Sequence, residues 1–197
     1  MAGSGRTVSP MTLIPAGLAI VAATYGLSRY TYGLFLPDIR SDLGLSTEVM
    51  GLIGSGSYAG YLAATLFGST VSGLVGPRMP VVLGGLAAAI GMALMSLSNG
   101  SLMLAVGVVL AGTSPGLAYP PLSDAVMRLI AEPQQNRTYA VINSGTSVGV
   151  IISGPAALMA GDAWRLAWMG FAVVATVATT WNAGLMPTGS YAHGAPG

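Results

Sequence analysis

One charged residue, Arg29, lies inside a long apolar stretch, with Tyr25 four residues before it and Tyr32 three residues after it. In a helix this i, i+4, i+7 spacing puts the three side chains on one face. A guanidinium can hydrogen-bond an anionic group strongly. The pattern therefore predicts a polar, aromatic-flanked stripe that lines a cavity, in which Arg29, Tyr25 and Tyr32 bind a substrate.

The position of Arg29 is informative because a buried charge is costly. An arginine at the centre of a membrane helix costs about 2.5–3.5 kcal/mol on insertion scales. Two other interpretations stay open. The long side chain can snorkel to the outer interface, or its guanidinium can bind helix-end carbonyls.

Most of the chain consists of apolar stretches that match the thickness of a bilayer. In hydrocarbon, each stretch must satisfy its own backbone hydrogen bonds and should therefore be a helix. The sequence predicts an all-α, polytopic membrane protein with six transmembrane helices within residues 11–186, a cytoplasmic lead over residues 1–10 and a disordered cytoplasmic tail over residues 187–197. The stretches are Thr12–Leu36, Glu48–Ser72, Val81–Ser98, Ser101–Tyr119, Thr138–Ala160 and Trp164–Met186.

Composition restricts the possible functions of the chain to those of membrane proteins. Hydrophobic residues make up 53% of the chain and charged residues 7%, against about 25% charged residues in a soluble domain. The formal net charge of +1 gives no basic patch for nucleic acid. Cysteine is absent and the single histidine, His193, lies in the tail. No metal, no cofactor and no serine–histidine pair is therefore expected in the bundle, which argues against an enzyme.

Arginine counts predict the orientation, since basic residues are enriched on the cytoplasmic side. With a cytoplasmic N-terminus, two arginines of the connections lie outside and four lie inside. The outside pair is Arg40 and Arg165, and the inside set is Arg6, Arg78, Arg128 and Arg137. We therefore expect both termini to be cytoplasmic.

Short connections predict antiparallel neighbours. Pro37 is expected to end the first helix, and Ser46 with Glu48 to cap the start of the second. In the longest interior connection, Asp124 and Arg128 are four residues apart, which favours an ion pair on an amphipathic helix.

Tryptophan and proline positions give two further expectations. Trp164 and Trp168 lie at the outer end of the last stretch and Trp181 near its inner end, which is typical of aromatic belts at the membrane interfaces. Pro115 and Pro155 are expected to interrupt their helices.

Small residues crowd the second and fifth stretches. Gly56 and Gly60 form a small-xxx-small pair, and Gly149 and Gly154 precede Pro155. Such residues let membrane helices approach closely. They are the predicted helix-packing positions, used either within this bundle or against a partner.

These residues carry a family resemblance. The run Tyr25-Gly-Leu-Ser-Arg29-Tyr-Thr-Tyr-Gly-Leu-Phe-Leu-Pro37 resembles the first helix of prokaryotic major facilitator superfamily transporters. The loop from Ser72 to Arg78, the Gly154-Pro155 pair and the Trp164-Arg165 pair are similar to later signatures of that superfamily. The resemblance covers residues 11–186 and corresponds to the N-terminal six-helix half of the fold.

The resemblance implies two six-helix bundles that enclose a central site and give alternating access by rocking. It implies a bacterial inner membrane, a small solute and a second six-helix half, which is a second copy, a separate chain or a part lost from a truncated gene. It also implies gate and loop roles for Gly76, Arg78, Asp124 and Arg128. The sequence departs from the family pattern in several places. Gly73 replaces the loop acid, only Arg78 remains of the basic cluster of that loop, Val108 stands at the helix-four arginine, and the helix-five signature is off by one residue in spacing.

Two functional hypotheses follow. The first is a secondary transporter of this superfamily, or half of one, that moves a small solute such as an organic anion. The alternative is a truncated or non-transporting membrane protein that acts as an assembly partner.

Overall fold

The computed structural model describes residues 10–186, and every regular element in this range is helical. The prediction of an all-α chain is confirmed for these residues, whereas residues 1–9 of the predicted lead and the predicted tail lie outside them. The elements in chain order are α1 (Pro10–Val21), a π-helical segment (Ala22–Tyr30), α2 (Tyr32–Leu43), α3 (Thr47–Val75), α4 (Arg78–Ser96), α5 (Ser101–Leu129), α6 (Glu132–Ala160), a 3-10 turn (Gly161–Ala163) and α7 (Trp164–Leu185).

Three helical stretches of the described residues are long and apolar enough to cross a membrane. They are Arg78–Ser96, Ser101–Leu129 and Glu132–Leu185, the last being one run of 54 residues that includes the 3-10 turn. The helix α3 has 29 residues, as α5 does, but glycine, serine and threonine occupy many of its positions.

The helix ends meet at two opposite ends of the bundle. Asp42 in α2, Ser98 between α4 and α5, and Arg165 in α7 meet at one end, which we call the clasp end. Ser72 in α3 and Asp124 in α5 meet at the other, which we call the base. Successive membrane-length segments therefore run in opposite directions, as the short connections predict.

The first helical region continues beyond the predicted end. Pro37 lies inside α2, which extends to Leu43, so the prediction that Pro37 ends the helix is wrong. The helix ends instead at Gly44, whose φ of 61° is in the left-handed region that suits glycine. The predicted N-cap of the next helix is confirmed, because Ser46 Oγ accepts a hydrogen bond from the Val49 amide at 3.3 Å.

Proline does not interrupt the long helices. The helix α5 contains Pro115, Pro120 and Pro121 and continues ten residues past Tyr119, and α6 runs through Pro155. The predicted breaks are therefore wrong, and only residues 130 and 131 connect α5 to α6.

Side chains explain why α5 tolerates Pro115. A proline leaves the carbonyl four residues earlier without its helical donor. That carbonyl, Ala111 O, accepts hydrogen bonds from Ser28 Oγ at 3.0 Å and from Ser114 Oγ at 2.6 Å. The hydroxyls replace the missing amide, and Ser28 thereby joins the π segment to α5.

An aromatic core lies towards the clasp end. Trp164 and Trp168 are fully buried, and the Trp168 ring lies 5.5 Å from Phe35 and 5.8 Å from Phe171. The interface-belt interpretation is wrong for these two tryptophans, because both indoles are directed into the bundle. Trp181, in contrast, is 45% exposed.

Candidate functional site

Arg29 lies near the end of the π segment and contacts two rings of α3. Its guanidinium carbon is 3.7 Å from the centroid of the Tyr61 ring and 4.6 Å from that of Tyr58. A cation above a tyrosine ring is attracted by the ring quadrupole, with a gain of about 0.5–2 kcal/mol. Arg29 Nη1 is buried and has no hydrogen-bond partner in the described part of the chain. The charge is therefore partly compensated while one donor still needs an acceptor.

Three more tyrosine contacts extend this arrangement. The hydroxyls of Tyr25 and Tyr61 are 3.2 Å apart, and the Tyr25 ring packs against Tyr119 edge-on at 5.7 Å and stacks on Tyr30 at 6.2 Å. Tyr30 and Tyr58 are 47% and 59% exposed. We call the side chains of Tyr25, Tyr30, Tyr58, Tyr61 and Tyr119 the tyrosine cluster. Of its two exposed members, Tyr58 contacts the arginine and Tyr30 contacts Tyr25.

The π segment positions Arg29 because it is held on two sides. Ser28 binds α5, as described above, and Gly26 lies against α6. A methyl group added to Gly26 would lie 2.6 Å from the Gly149 Cα, so neither glycine can carry a side chain there. Thr31 Oγ1 also donates to Gly26 O at 2.9 Å, five residues back along the chain. A π segment winds more loosely than an α-helix, so the i, i+4, i+7 relation of an α-helix does not hold across it.

Tyr32 is consequently directed elsewhere. It is buried, and its hydroxyl donates to Met50 Sδ at 3.8 Å. It lines a separate, mostly apolar cavity of about 480 Å³ between α2 and α3, whose wall includes Arg40, Gly51 and Gly54. The structure thus brings Tyr25 and Arg29 together with Tyr61 and leaves Tyr32 outside the tyrosine cluster.

The predicted gate and loop residues lie at the base. Gly76 ends α3 with a φ of 85°, and its amide donates to Ser72 O at 3.0 Å. Ser72 Oγ donates to Asp124 Oδ2 at 3.3 Å, which joins α3 to α5. Arg78 is the first residue of α4, and Arg128 is exposed near the end of α5. A gating role for this group stays a prediction.

The predicted packing glycines differ in their surroundings. A methyl group on Gly56 or Gly60 would lie 3.3 Å or 3.0 Å from a side chain of α5, and Gly149 contacts Gly26 closely. Gly154 has no such neighbour within 4 Å. Three of the four glycines therefore pack inside this bundle, and the surroundings of Gly154 are open.

Arg165 forms a second arginine cluster at the clasp end. Its Nη1 binds Asp42 Oδ2 at 2.5 Å, its Nη2 donates to Ser98 O at 2.9 Å, and its guanidinium carbon lies 4.3 Å from the centre of the Trp164 ring. We call these four residues the clasp. They join α2, the connection after α4, and α7.

Sequence reasoning did not identify Tyr58, Tyr61 and Tyr119 as neighbours of Arg29. The spacing of Tyr58 and Tyr61 places them on one helix face, but nothing local indicates that this face meets the first helix. No group of three or more His, Cys, Asp or Glu side chains that could hold a metal occurs within residues 10–186.

The helices and this site define a class: an integral membrane bundle with an incompletely paired arginine among tyrosines. Residues 18–192 match the Major Facilitator Superfamily. The chain therefore belongs to the Major Facilitator Superfamily and is an integral membrane protein.

Two relatives illustrate the match. The transcription regulatory protein OpdE of Pseudomonas aeruginosa is 30% identical over 189 residues, which cover 91% of this chain and 46% of OpdE. The hexuronate transporter of Bacillus subtilis is 29% identical over 152 residues, which cover 73% of this chain and 34% of the transporter. The chain thus spans half or less of the length of these relatives.

A solved structure shows the same fold. The crystal structure of the peptide transporter POT in complex with sulfate superposes with a TM-score of 0.73 at 19% identity. The superposition covers 92% of this chain and 39% of that transporter. The arrangement of helices is therefore that of part of the POT structure.

Proposed function

We propose that the chain is a six-helix half of a secondary transporter that binds a small organic anion at Arg29 and moves it across the bacterial inner membrane. The observation that carries this proposal is the buried Nη1 of Arg29, which has no hydrogen-bond partner in the described residues and lies among tyrosines. An anionic group would supply the missing acceptor.

The six proposed spans are the first helical region, formed by α1, the π segment and α2, followed by α3, α4, α5, α6 and α7. The helix α3 carries glycine, serine or threonine at many of its positions. Such a helix is suited to face a solute pathway or another helix rather than lipid alone. With the base and both termini in the cytoplasm, Gly76, Arg78, Asp124 and Arg128 would lie at the cytoplasmic gate.

A second six-helix half is part of the proposal, because a central site needs walls on both sides. The exposed faces of α3 and α6 would meet it. Leu62 in α3 is 63% exposed and Ile151 in α6 is 70% exposed. Gly154, with no neighbouring side chain, lies on α6 as well.

The named relatives support both hypotheses. A hexuronate is a carboxylate, so the Bacillus subtilis transporter supports an anionic solute. OpdE is named as a transcription regulatory protein, which supports the alternative, a non-transporting membrane protein that acts as an assembly partner.

Uptake by liposomes tests the proposal. The chain is reconstituted with and without a co-expressed second half, and uptake of a panel of labelled small anions is measured. Arg29→Ala should abolish uptake while the chain still inserts, and Arg137→Gln, an exposed arginine outside the site, serves as the control. Uptake that Arg29→Ala leaves unchanged would remove Arg29 from the site.

Crosslinking tests the partner. The chain has no cysteine, so single cysteines can be introduced without background. Leu62→Cys in α3 should crosslink to a partner in bilayers, and Leu166→Cys in α7, which is 74% exposed, should not. A chain that stays monomeric with both variants would contradict the proposed second half.

A further inference from the structure

The hydrogen-bonding capacity of Arg29 indicates what its ligand must offer. The two ring contacts compensate positive charge but provide no strong acceptor, whereas a guanidinium has several N–H donors in a planar fork. The buried Nη1 has no acceptor in the described residues. A carboxylate fits this fork because its two oxygens can accept two parallel hydrogen bonds.

The charge of the site indicates how many negative groups the ligand carries. Arg29 is the only charged residue of Ala22–Tyr30, and its ring neighbours are tyrosines. The other arginines of the described residues lie towards the helix ends, at positions 40, 78, 128, 137 and 165. Within this half, a second negative charge on the ligand would be desolvated without a basic partner, which is costly. A monoanion therefore matches the site.

The walls indicate the shape of the remaining part of the ligand. Tyr58, which contacts the Arg29 guanidinium, is 59% exposed, and Tyr30, which stacks on Tyr25, is 47% exposed. Offset or edge-on contact between aromatic rings is favourable by about 0.5–1.5 kcal/mol beyond the area buried. The hydroxyls of Tyr25 and Tyr61 bind each other, which leaves one O–H donor of the pair for a ligand with many hydroxyl groups. The surroundings favour a flat, apolar ring over a sugar.

We infer that the Arg29 site takes a planar aromatic monocarboxylate, with the carboxylate on Arg29 and the ring against Tyr30 and Tyr58. The inference rests on the proposed function, because it specifies the solute of the same site. The inference goes beyond the proposed function because it excludes sugar acids and dicarboxylates as preferred ligands.

Equilibrium binding tests the inference directly. Labelled benzoate is bound to the purified full chain in nanodiscs and competed with cyclohexanecarboxylate, benzamide, terephthalate and glucuronate. Benzoate should bind best. Benzamide lacks the charge and terephthalate carries a second one, so both should compete at least about 10-fold more weakly. Cyclohexanecarboxylate has the charge without the flat ring and should compete about 5-fold more weakly.

Variants separate the two parts of the site. Arg29→Gln should weaken benzoate binding about 10- to 100-fold, and Arg29→Lys, which keeps the charge but not the fork, should weaken it less. Tyr58→Leu should lower benzoate affinity about 5-fold and leave that of cyclohexanecarboxylate within about 2-fold. Trp181→Leu is the matched control, since it removes an exposed aromatic ring from α7 outside the site.

The outcomes distinguish this inference from the proposed function. Glucuronate or terephthalate binding better than benzoate, or an equal effect of Tyr58→Leu on both monocarboxylates, would overturn the aromatic ligand and leave an Arg29-dependent anion site standing. Binding of no anion in an Arg29-dependent manner would overturn both.

Discussion

Arg29 and Arg165 have similar side-chain contacts and opposite hydrogen-bonding states. Each guanidinium lies over an aromatic ring, Arg29 over Tyr61 and Arg165 over Trp164. Arg165 also binds the Asp42 carboxylate and a backbone carbonyl. Arg29 has a buried nitrogen with no acceptor in the described residues.

The difference is between an arginine whose bonds hold the structure together and one that we propose to bind a ligand. The groups around Arg165 come from three parts of the chain, so its bonds hold helix ends together. Arg29 is enclosed by rings that compensate its charge without satisfying its donors. An arginine placed in this way at a cost to stability is the more informative position for function.

Replacing Arg29 should have the largest effect, and this effect should be on anion binding. Arg29→Gln should reduce anion binding about 10- to 100-fold, because hydrogen bonds to charged groups contribute about 1.5–3 kcal/mol. The thermal midpoint in detergent should stay unchanged or rise, since a buried unpaired charge is removed. The measurement is binding and thermal unfolding on the same preparation. A lower midpoint with intact binding would make Arg29 a structural residue like Arg165.

The next effect tests how the π segment is positioned. Gly149→Ala should cost about 1–3 kcal/mol of stability, because the new methyl group meets the Gly26 backbone. Gly154→Ala is its matched control in the same helix: nothing lies within 4 Å, and the helix gains up to about 1 kcal/mol in propensity. Thermal unfolding checks both. Equal effects would mean that the contact with Gly26 does not constrain the helix.

The clasp should give a smaller effect on stability and none on binding. Arg165→Gln removes the ion pair and the bond to Ser98 O, at a cost of about 1–2 kcal/mol. The side chains of Arg165 and Asp42 are 31% and 43% exposed, so a double-mutant cycle with Asp42→Asn should give a coupling energy of only about 0.5–1 kcal/mol. Added salt should reduce it. Impaired anion binding in Arg165→Gln would contradict the proposal that Arg165 is structural and that Arg29 binds the ligand.

The smallest expected effect is that of replacing Tyr61 in the tyrosine cluster. Tyr61→Phe removes the hydroxyl pair with Tyr25 but keeps the ring under Arg29, so stability should fall by about 0.5–1 kcal/mol. Tyr61→Leu also removes the ring and should weaken anion binding, which Tyr61→Phe should preserve. Similar anion affinities for the two variants would show that the ring does not position the guanidinium.

Local chemistry explains which features could be predicted from the sequence. The Ser46 cap depends on a hydroxyl and an amide three residues away, and the helical class depends on runs of apolar residues. In α5, the Ala111 carbonyl that Pro115 leaves without its amide accepts from the neighbouring Ser114 Oγ and also from Ser28 Oγ, which is 83 residues away. Propensity alone indicates a break at such a proline.

The candidate site, too, could be predicted from the sequence only where its residues are close along the chain. Tyr25 and Arg29 are close in sequence and share the site in the structure. An α-helical periodicity predicts that Tyr32 shares their face, but the π segment does not follow that periodicity. Tyr61 and Tyr58 reach Arg29 only through the packing of α3 against the first helical region. Long-range contacts therefore define most of the site.

The burial of two indoles at the clasp end has a practical consequence. Of the three tryptophans in the chain, Trp164 and Trp168 lie in the core and Trp164 is under the Arg165 guanidinium. Intrinsic fluorescence will consequently be weighted towards the clasp, and its wavelength and its quenching by aqueous agents will report when water enters there. Arg29 has no tryptophan in its tyrosine cluster, so events at that site will be nearly silent in the same spectrum.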